Sequence, residues 1–292
     1  MKISIDKLYC IRKTCYSRIY IIKDNPKYYL KDNYFAEKLI QEYKTLKFLR
    51  DNKFKNIPEF ELKNIGHRYF LILTNIKTDP MFWDKINKDQ TSKIIKCVKK
   101  LHRIKNRKGK KLKHFFNQEI NRTRLNLNRY TIINMYDKTE KFKHFYNLLL
   151  KHIDYIEERS KKIFSGRERC SFIHKGLSYS HILYSNGEIK IIDWEDSSFG
   201  DPASDLSQLF NEPRFPKRVF LNQYSTLKEN KIIMKRIKFY RYLNFINEIL
   251  QLLSDNINLE YDLNSLQKVK EIFYEKEILL NLRNLKKIRK TL

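Results

Sequence analysis

The sequence predicts an α+β chain in two parts: a small antiparallel sheet with one helix over residues 1–76, and a larger, mainly helical part over residues 77–292. Three observations carry this. The first 76 residues read strand–strand–helix–strand–strand, an order that builds an antiparallel sheet rather than βαβ units. Beyond residue 80, apolar residues recur at helical spacing in long segments. One hairpin interrupts those segments: His181–Tyr184, a turn at Ser185-Asn186-Gly187, and a return through Glu188–Ile192. Asn-Gly between β-branched runs is the strongest short-range hairpin signal, because both residues tolerate φ > 0.

The elements follow in order. Met1–Lys7 alternates like a strand and lacks the apolar stretch of a signal peptide. Arg18–Ile22 and Tyr28–Lys31 are predicted strands, joined by a turn at Asp24-Asn25-Pro26. Ala36–Asn52 is a predicted helix whose broad apolar face carries Leu39, Tyr43, Leu46, Phe48 and Leu49; Pro58 follows it. Phe60–Leu62 and Tyr69–Thr74 complete the sheet. Thr91–Arg103 is an amphipathic helix closing in Leu101-His102, with His102 read as a packing residue, and the pattern breaks at Gly109. Further helices are expected over Phe115–Leu127, Thr139–Ser160, Pro216–Tyr224, Ile232–Leu253 and Ser265–Lys287.

Composition narrows the function. A hydrophobic content of 41% excludes a disordered chain. The lack of any run of 18 apolar residues argues against a membrane span. Cys10, Cys15, Cys97 and Cys170 have no zinc-site spacing and read as free thiols of a reducing, cytoplasmic compartment. There is no G-x-x-x-x-G-K-[ST] and no H-E-x-x-H, which excludes a P-loop enzyme and a zincin. The net charge of +28 marks a basic protein. It suits phosphate-rich partners, nucleic acid among them, but the lysines are spread along the whole chain as AT-rich codons would spread them. Lys105–Lys113 and Arg283–Lys290 are the local basic patches.

The chemistry concentrates in Phe172–Asp205, FIHKGLSYSHILYSNGEIKIIDWEDSSFGDPASD. Closing the hairpin brings His181 beside Asp193, within a residue of register. An imidazole and a carboxylate at a strand end can hold a hard cation and, through it, a phosphate.

This segment resembles the catalytic core of the aminoglycoside phosphotransferase and choline kinase-like family. That family carries H-x-D-x-x-x-x-N or H-x-D-x-x-x-x-H, a hairpin, I-D-[WF]-[EG]-D and then G-D-P-x-x-D. The resemblance implies a bilobal protein-kinase-like fold with ATP and Mg²⁺ as donor and cation. It makes His174 the loop histidine, His181 and Asp193 the metal positions, and Asp201 and Asp205 loop-stabilising. It makes Lys31 the phosphate-binding lysine, with Glu42 as its helical partner and Glu37 as the competing candidate. It makes Thr74 to Ile76 the hinge whose backbone meets adenine. Because imidazole suits transition metals, Mn²⁺ is expected to serve as well. The acceptor, an unidentified small molecule, is expected over Phe115–Tyr155 and Pro213–Leu253. The acidic residues there are scattered (Glu119, Asp137, Glu140, Asp154, Glu157, Glu158), which argues against a polycationic aminoglycoside.

Two positions depart from the family pattern. Gly176 stands where the catalytic aspartate belongs, and glycine cannot accept a proton. Tyr9–Tyr20, the stretch expected over the phosphates, contains no glycine; Thr14, Tyr16 and Ser17 occupy the turn. Two functions fit this sequence. One is an ATP- and magnesium-dependent kinase of a small hydroxylated molecule. The other is a pseudokinase that binds nucleotide or a partner without transfer.

Overall fold

A computed structural model describes residues 7–13, 17–23, 25–65, 67–77, 86–106, 109, 111–133, 140–164 and 168–258. The chain divides into two compact units: residues 1–105 with 171–225, and residues 106–170 with 226–292.

The first unit is built on a five-stranded antiparallel sheet of order β1-β2-β3-β5-β4. Its strands are β1 (Leu8–Lys13), β2 (Ser17–Ile22), β3 (Asn25–Asn33), β4 (Phe60–Ile65) and β5 (Arg68–Thr74). Period-2 alternation on β3 sends Leu30 into a cluster with Ile22, Phe70 and Ile72, and turns Lys31 to the opposite face. Pro26 lies inside β3 rather than in the turn the sequence predicts, since Asn25 already pairs with Ile22. β1 was not expected as a strand. Five of its six residues are exposed, so it buries too little to leave a period-2 signature.

Helix α1 (Ala36–Asp51) covers the face that carries Lys31. Its buried stripe runs Leu39, Glu42, Thr45, Leu46 and Leu49, a 3-4 spacing with a carboxylate in its middle. Helix α2 (Lys88–His102) begins in a capping box: the Asn87 side chain accepts from the Gln90 amide, and the Gln90 side chain accepts from the Asn87 amide.

The rest of this unit holds the motif segment. Strand β6 (Ser171–Ile173) pairs with β9 (Ser198–Gly200), and β7 (Ile182–Ser185) pairs with β8 (Glu188–Ile191). Asn186 and Gly187 have φ of 50° and 79°, the pair of positive values a two-residue hairpin turn requires. The loop after α1 pins this hairpin: the Ile191 amide donates to the Asn56 carbonyl (2.9 Å), and the Asn56 side chain donates to the Ile189 carbonyl (2.7 Å). Two short helices follow, α5 (Pro202–Leu209) and α6 (Lys217–Tyr224). Asp201 caps α5 by accepting from the Ala203 amide at 3.0 Å, with Pro202 at the first helical position.

The second unit contains three long helices, α3 (Leu112–Ile133), α4 (Glu140–Ile163) and α7 (Leu227–Asn258), each longer than its sequence pattern predicts. Their core is aromatic. Phe116 stacks on Phe164 at 4.4 Å, with Phe239 and Tyr240 edge-on to both. The helix expected over Ser265–Lys287 lies outside the described residues. No helix among the described residues is long and apolar enough to cross a membrane.

Candidate functional site

Lys31 is the centre of the site. Its ammonium lies 2.9 Å from Glu42 Oε2, 2.7 Å from Asp193 Oδ1 and 2.9 Å from Glu195 Oε2. Burial alone would lower the pKa of this lysine, but the three carboxylates outweigh it and hold the ammonium above its ordinary value. Burial likewise opposes ionisation of Asp193, and the Lys31 ammonium overcomes it, leaving that carboxyl below its ordinary value.

Glu42 binds at both ends. One oxygen takes Lys31, and the other accepts the Trp194 amide at 3.1 Å. Its position within the apolar stripe of α1 explains its burial. Glu37, in the first turn of the same helix, is exposed.

Trp194 aims the acidic cluster. It is fully buried, packs edge-on to Phe54 at 5.9 Å, and donates from its indole to the Ile191 carbonyl at 2.8 Å. With Trp194 anchored inward, Asp193 and Glu195 on either side turn out to Lys31. Asp193 adopts φ of 67°, in the left-handed region that a short polar side chain tolerates better than most. Asp196, one step on, pairs with Lys38 at 2.8 Å.

His181 sits in a single 3₁₀ turn at the start of β7. Its Nδ1 is 2.7 Å from the Gly176 carbonyl. A carbonyl only accepts, so Nδ1 carries the proton and Nε2 presents a lone pair. That Nε2 lies 3.5 Å from Asp193 Oδ2. Two lone-pair donors facing each other at this separation suit a divalent cation between them, and a nitrogen–oxygen pair accepts Mn²⁺ as well as Mg²⁺. Carboxylate oxygens of Glu42, Asp193 and Glu195 also lie within 4.8 Å of one another, with the Lys31 ammonium bonded to all three residues.

The loop before His181 is held by Asp205, which is fully buried on α5. Its Oδ2 accepts the His174 amide at 2.8 Å, and its Oδ1 accepts the Lys175 amide at 2.7 Å. His102 Nε2 donates to the same carboxylate at 3.0 Å, and Tyr224 Oη meets His102 Nδ1 at 2.6 Å. Lys175 has φ of 70°, which costs about 1–3 kcal/mol for a non-glycine residue and persists because its amide is tied to Asp205. Asp205→Ala would strand both amides and His102. We expect a loss of about 3–5 kcal/mol, the range for breaking a buried ionic network, read as a lower midpoint in urea denaturation.

Gly176 faces space. Among the described residues, and apart from its chain neighbours, a Cβ built on it would have one neighbour within 4 Å, His174 Nδ1 at 3.9 Å, and no carboxylate. Its φ lies outside the left-handed region. His174 itself is buried, packs against Trp194 at 4.7 Å, and directs Nε2 to the Ile192 carbonyl at 2.8 Å.

At the end of β5, the Thr74 amide donates to the Glu59 carbonyl (3.0 Å) and the Asn75 amide to the Lys27 carbonyl (2.8 Å). The Thr74 and Asn75 amides are thus both used within the protein. Residues 78–85, beyond the expected hinge, and Thr14 and Tyr16 of the expected phosphate loop, lie outside the described residues; Ser17 begins β2.

Two features of this site were not read from the sequence. Glu195 as a third partner of Lys31 was signalled by its place two residues after Asp193 in one turn. His102 as a hydrogen-bond partner of Asp205 had no local signal, because 103 residues separate them.

The model of the choline/ethanolamine kinase family matches residues 71–286. Among solved structures, an aminoglycoside phosphotransferase, APH(2'')-Ib with ADP bound, is similar with a TM-score of 0.62 at 16% identity, covering 98% of this chain and 95% of its own. Spectinomycin phosphotransferase APH(9)-Ia, in complex with ADP and spectinomycin, gives 0.63 at 19% identity over 92% and 88% of the two chains. An ethanolamine kinase of Plasmodium vivax gives 0.65 at 15% identity over 98% and 83%. The fold is thus the protein-kinase-like fold of these phosphotransferases. No curated protein matches the chain by sequence.

Proposed function

Because the chain belongs to the choline/ethanolamine kinase family, we propose that its first unit binds ATP with a divalent cation and passes the γ-phosphoryl group to the hydroxyl of a small molecule. The observation that carries this reading is the buried Lys31 ammonium shared by Glu42, Asp193 and Glu195. A lysine that must reach phosphates is held better when a buried carboxylate fixes its stem, and Glu42 is placed for that. Asp193 and His181 would hold the cation. When bound, it neutralises charge on the phosphate oxygens. The Ile76 end of β5 would meet the adenine edge. Similar structures hold ADP, ATP or GDP, which supports a purine nucleotide.

Phosphoryl transfer depends chiefly on positioning and charge neutralisation, and these parts are the ones this site retains. Choline and ethanolamine, each with one primary hydroxyl, are the acceptors to try first, on the strength of the family.

The second reading, a pseudokinase that binds nucleotide without transfer, is favoured by Gly176. One experiment separates the two. The full chain is incubated with γ-labelled ATP, Mg²⁺ or Mn²⁺, and choline or ethanolamine, and label is followed into product and into free phosphate. We expect slow, cation-dependent release. Nucleotide binding with no label moved would establish the pseudokinase. No nucleotide binding at millimolar ATP would end the transfer reading and leave a scaffold that binds a partner.

A further inference from the structure

We propose that Glu195 is a displaceable latch on Lys31: it occupies the hydrogen-bonding position that a phosphate of the nucleotide takes, and it leaves when that phosphate arrives. The proposal rests on the nucleotide-binding reading above and gives Glu195 a positioning role in it.

The first support is a count of donors. A lysine ammonium has three N–H donors and no more. On Lys31 all three are taken, by Glu42 Oε2 at 2.9 Å, Asp193 Oδ1 at 2.7 Å and Glu195 Oε2 at 2.9 Å. The lysine that must reach the phosphates therefore has no donor to offer them. One carboxylate has to give way before a phosphate can bind.

The second is that one of the three is placed to leave. The Glu42 side chain is 1% exposed in the apolar stripe of α1, and its other oxygen holds the Trp194 amide. Moving it would strand that amide and leave a buried charge unpaired. Asp193 can serve two groups where it stands, since Oδ1 takes Lys31 while Oδ2 faces His181 Nε2. Its side chain is short and its backbone is left-handed, so it has little room to turn away. Glu195 differs on each point. Its side chain is 26% exposed and one methylene longer, and among the described residues Lys31 is the one side chain it bonds. Rotation about its own side-chain bonds carries it into solvent with no change in the backbone.

The third is charge. Carboxylate oxygens of Glu42, Asp193 and Glu195 lie within 4.8 Å of one another around a single ammonium, an excess of negative charge that repels a polyphosphate. Withdrawal of Glu195 lowers that excess and frees a donor on Lys31 in one movement. The buried Glu42 keeps the stem of the lysine fixed throughout.

Calorimetric titration of the full chain with ATP, once with Mg²⁺ and once with a chelator, tests this on Glu195→Gln and Glu195→Ala. Both variants leave Lys31 its bonds to Glu42 and Asp193, so the ligand-free Tm should stay close to that of the wild type. A latch open in about one molecule in ten raises the apparent Kd about tenfold, and its removal returns that factor. We expect both variants to bind ATP about tenfold more tightly than the wild type in both conditions. Adenosine, which carries no phosphate, should bind each variant as it binds the wild type. That contrast separates the latch from a merely structural role, which would move both ligands together. Unchanged ATP affinity overturns the latch and leaves the nucleotide-binding reading standing. Weaker ATP binding confined to the Mg²⁺ titration overturns it by making Glu195 a ligand of the cation. Tightening shared equally by adenosine also overturns it, because the gain would not come through a phosphate. No ATP binding by the wild type or either variant overturns the latch and the transfer reading together.

Discussion

Gly176→Asp is expected to raise ATP hydrolysis by about 10²-fold or more, the factor lost when a general base is missing. The geometry permits the substitution. The backbone at Gly176 is not in the left-handed region, and a Cβ there meets only His174 Nδ1, at 3.9 Å. Among the described residues, no carboxylate outside the adjoining positions lies within 4 Å of that Cβ position. Asp193 is engaged with Lys31, and Asp205 with the loop amides. Hydrolysis is the practical readout, with water standing in for the acceptor. Gly176→Ala is the control, because it adds a side chain without a base and should leave hydrolysis at the wild-type level. Fast turnover by the native chain, or an aspartate variant no faster than wild type, would defeat this account.

That position was legible because the motif around it is local. His174, Gly176 and His181 fall within eight residues, and Asn186-Gly187 announces the hairpin that brings His181 to Asp193. Glu42 was legible only through the resemblance, which left Glu37 as an alternative; in the structure it shares a face with Leu39, Leu46 and Leu49, where a buried carboxylate needs a cation. What could not be read has equally specific causes. β6 and β9 have three residues each, too few to show alternation. β1 is exposed along most of its length and buries no face. Helix α5 carried a readable signal in Asp201-Pro202, an N-cap followed by proline at the first helical position. Asp205 on that helix is the carboxylate that receives the His174 and Lys175 amides, and Asp201 caps the helix that carries it. The link from Asp205 to His102 and on to Tyr224 joins residues far apart in sequence, and no periodicity encodes such a contact.

Substituting Lys31 or Asp193 by alanine is expected to abolish the cation-dependent stabilisation that ATP gives, while acting in different ways on the protein without ligand. The difference follows from burial. The side chains of Lys31 and Glu42 are 10% and 1% exposed, whereas that of Asp193 is 40% exposed. Lys31→Ala leaves the Glu42 carboxylate buried without its cation, a change of the kind that costs about 3–5 kcal/mol. Asp193→Ala removes one of three carboxylates from a lysine that keeps the other two, so the ligand-free protein should melt close to wild type. It nevertheless takes away the oxygen that faces His181 Nε2 at 3.5 Å, and with it the cation position. The measurement is therefore a difference of differences: the shift in Tm on adding ATP with Mg²⁺ or Mn²⁺, minus the shift with ATP and a chelator. Wild type should gain stability equivalent to about 2.7 kcal/mol at a hundredfold excess of ligand over Kd. Both variants should give a difference near zero, Lys31→Ala from a lowered starting Tm and Asp193→Ala from an almost unchanged one. A cation-dependent shift in Asp193→Ala equal to that of the wild type would remove the metal from this position. A ligand-free Lys31→Ala protein as stable as wild type would show that Glu42 does not depend on the lysine for its burial.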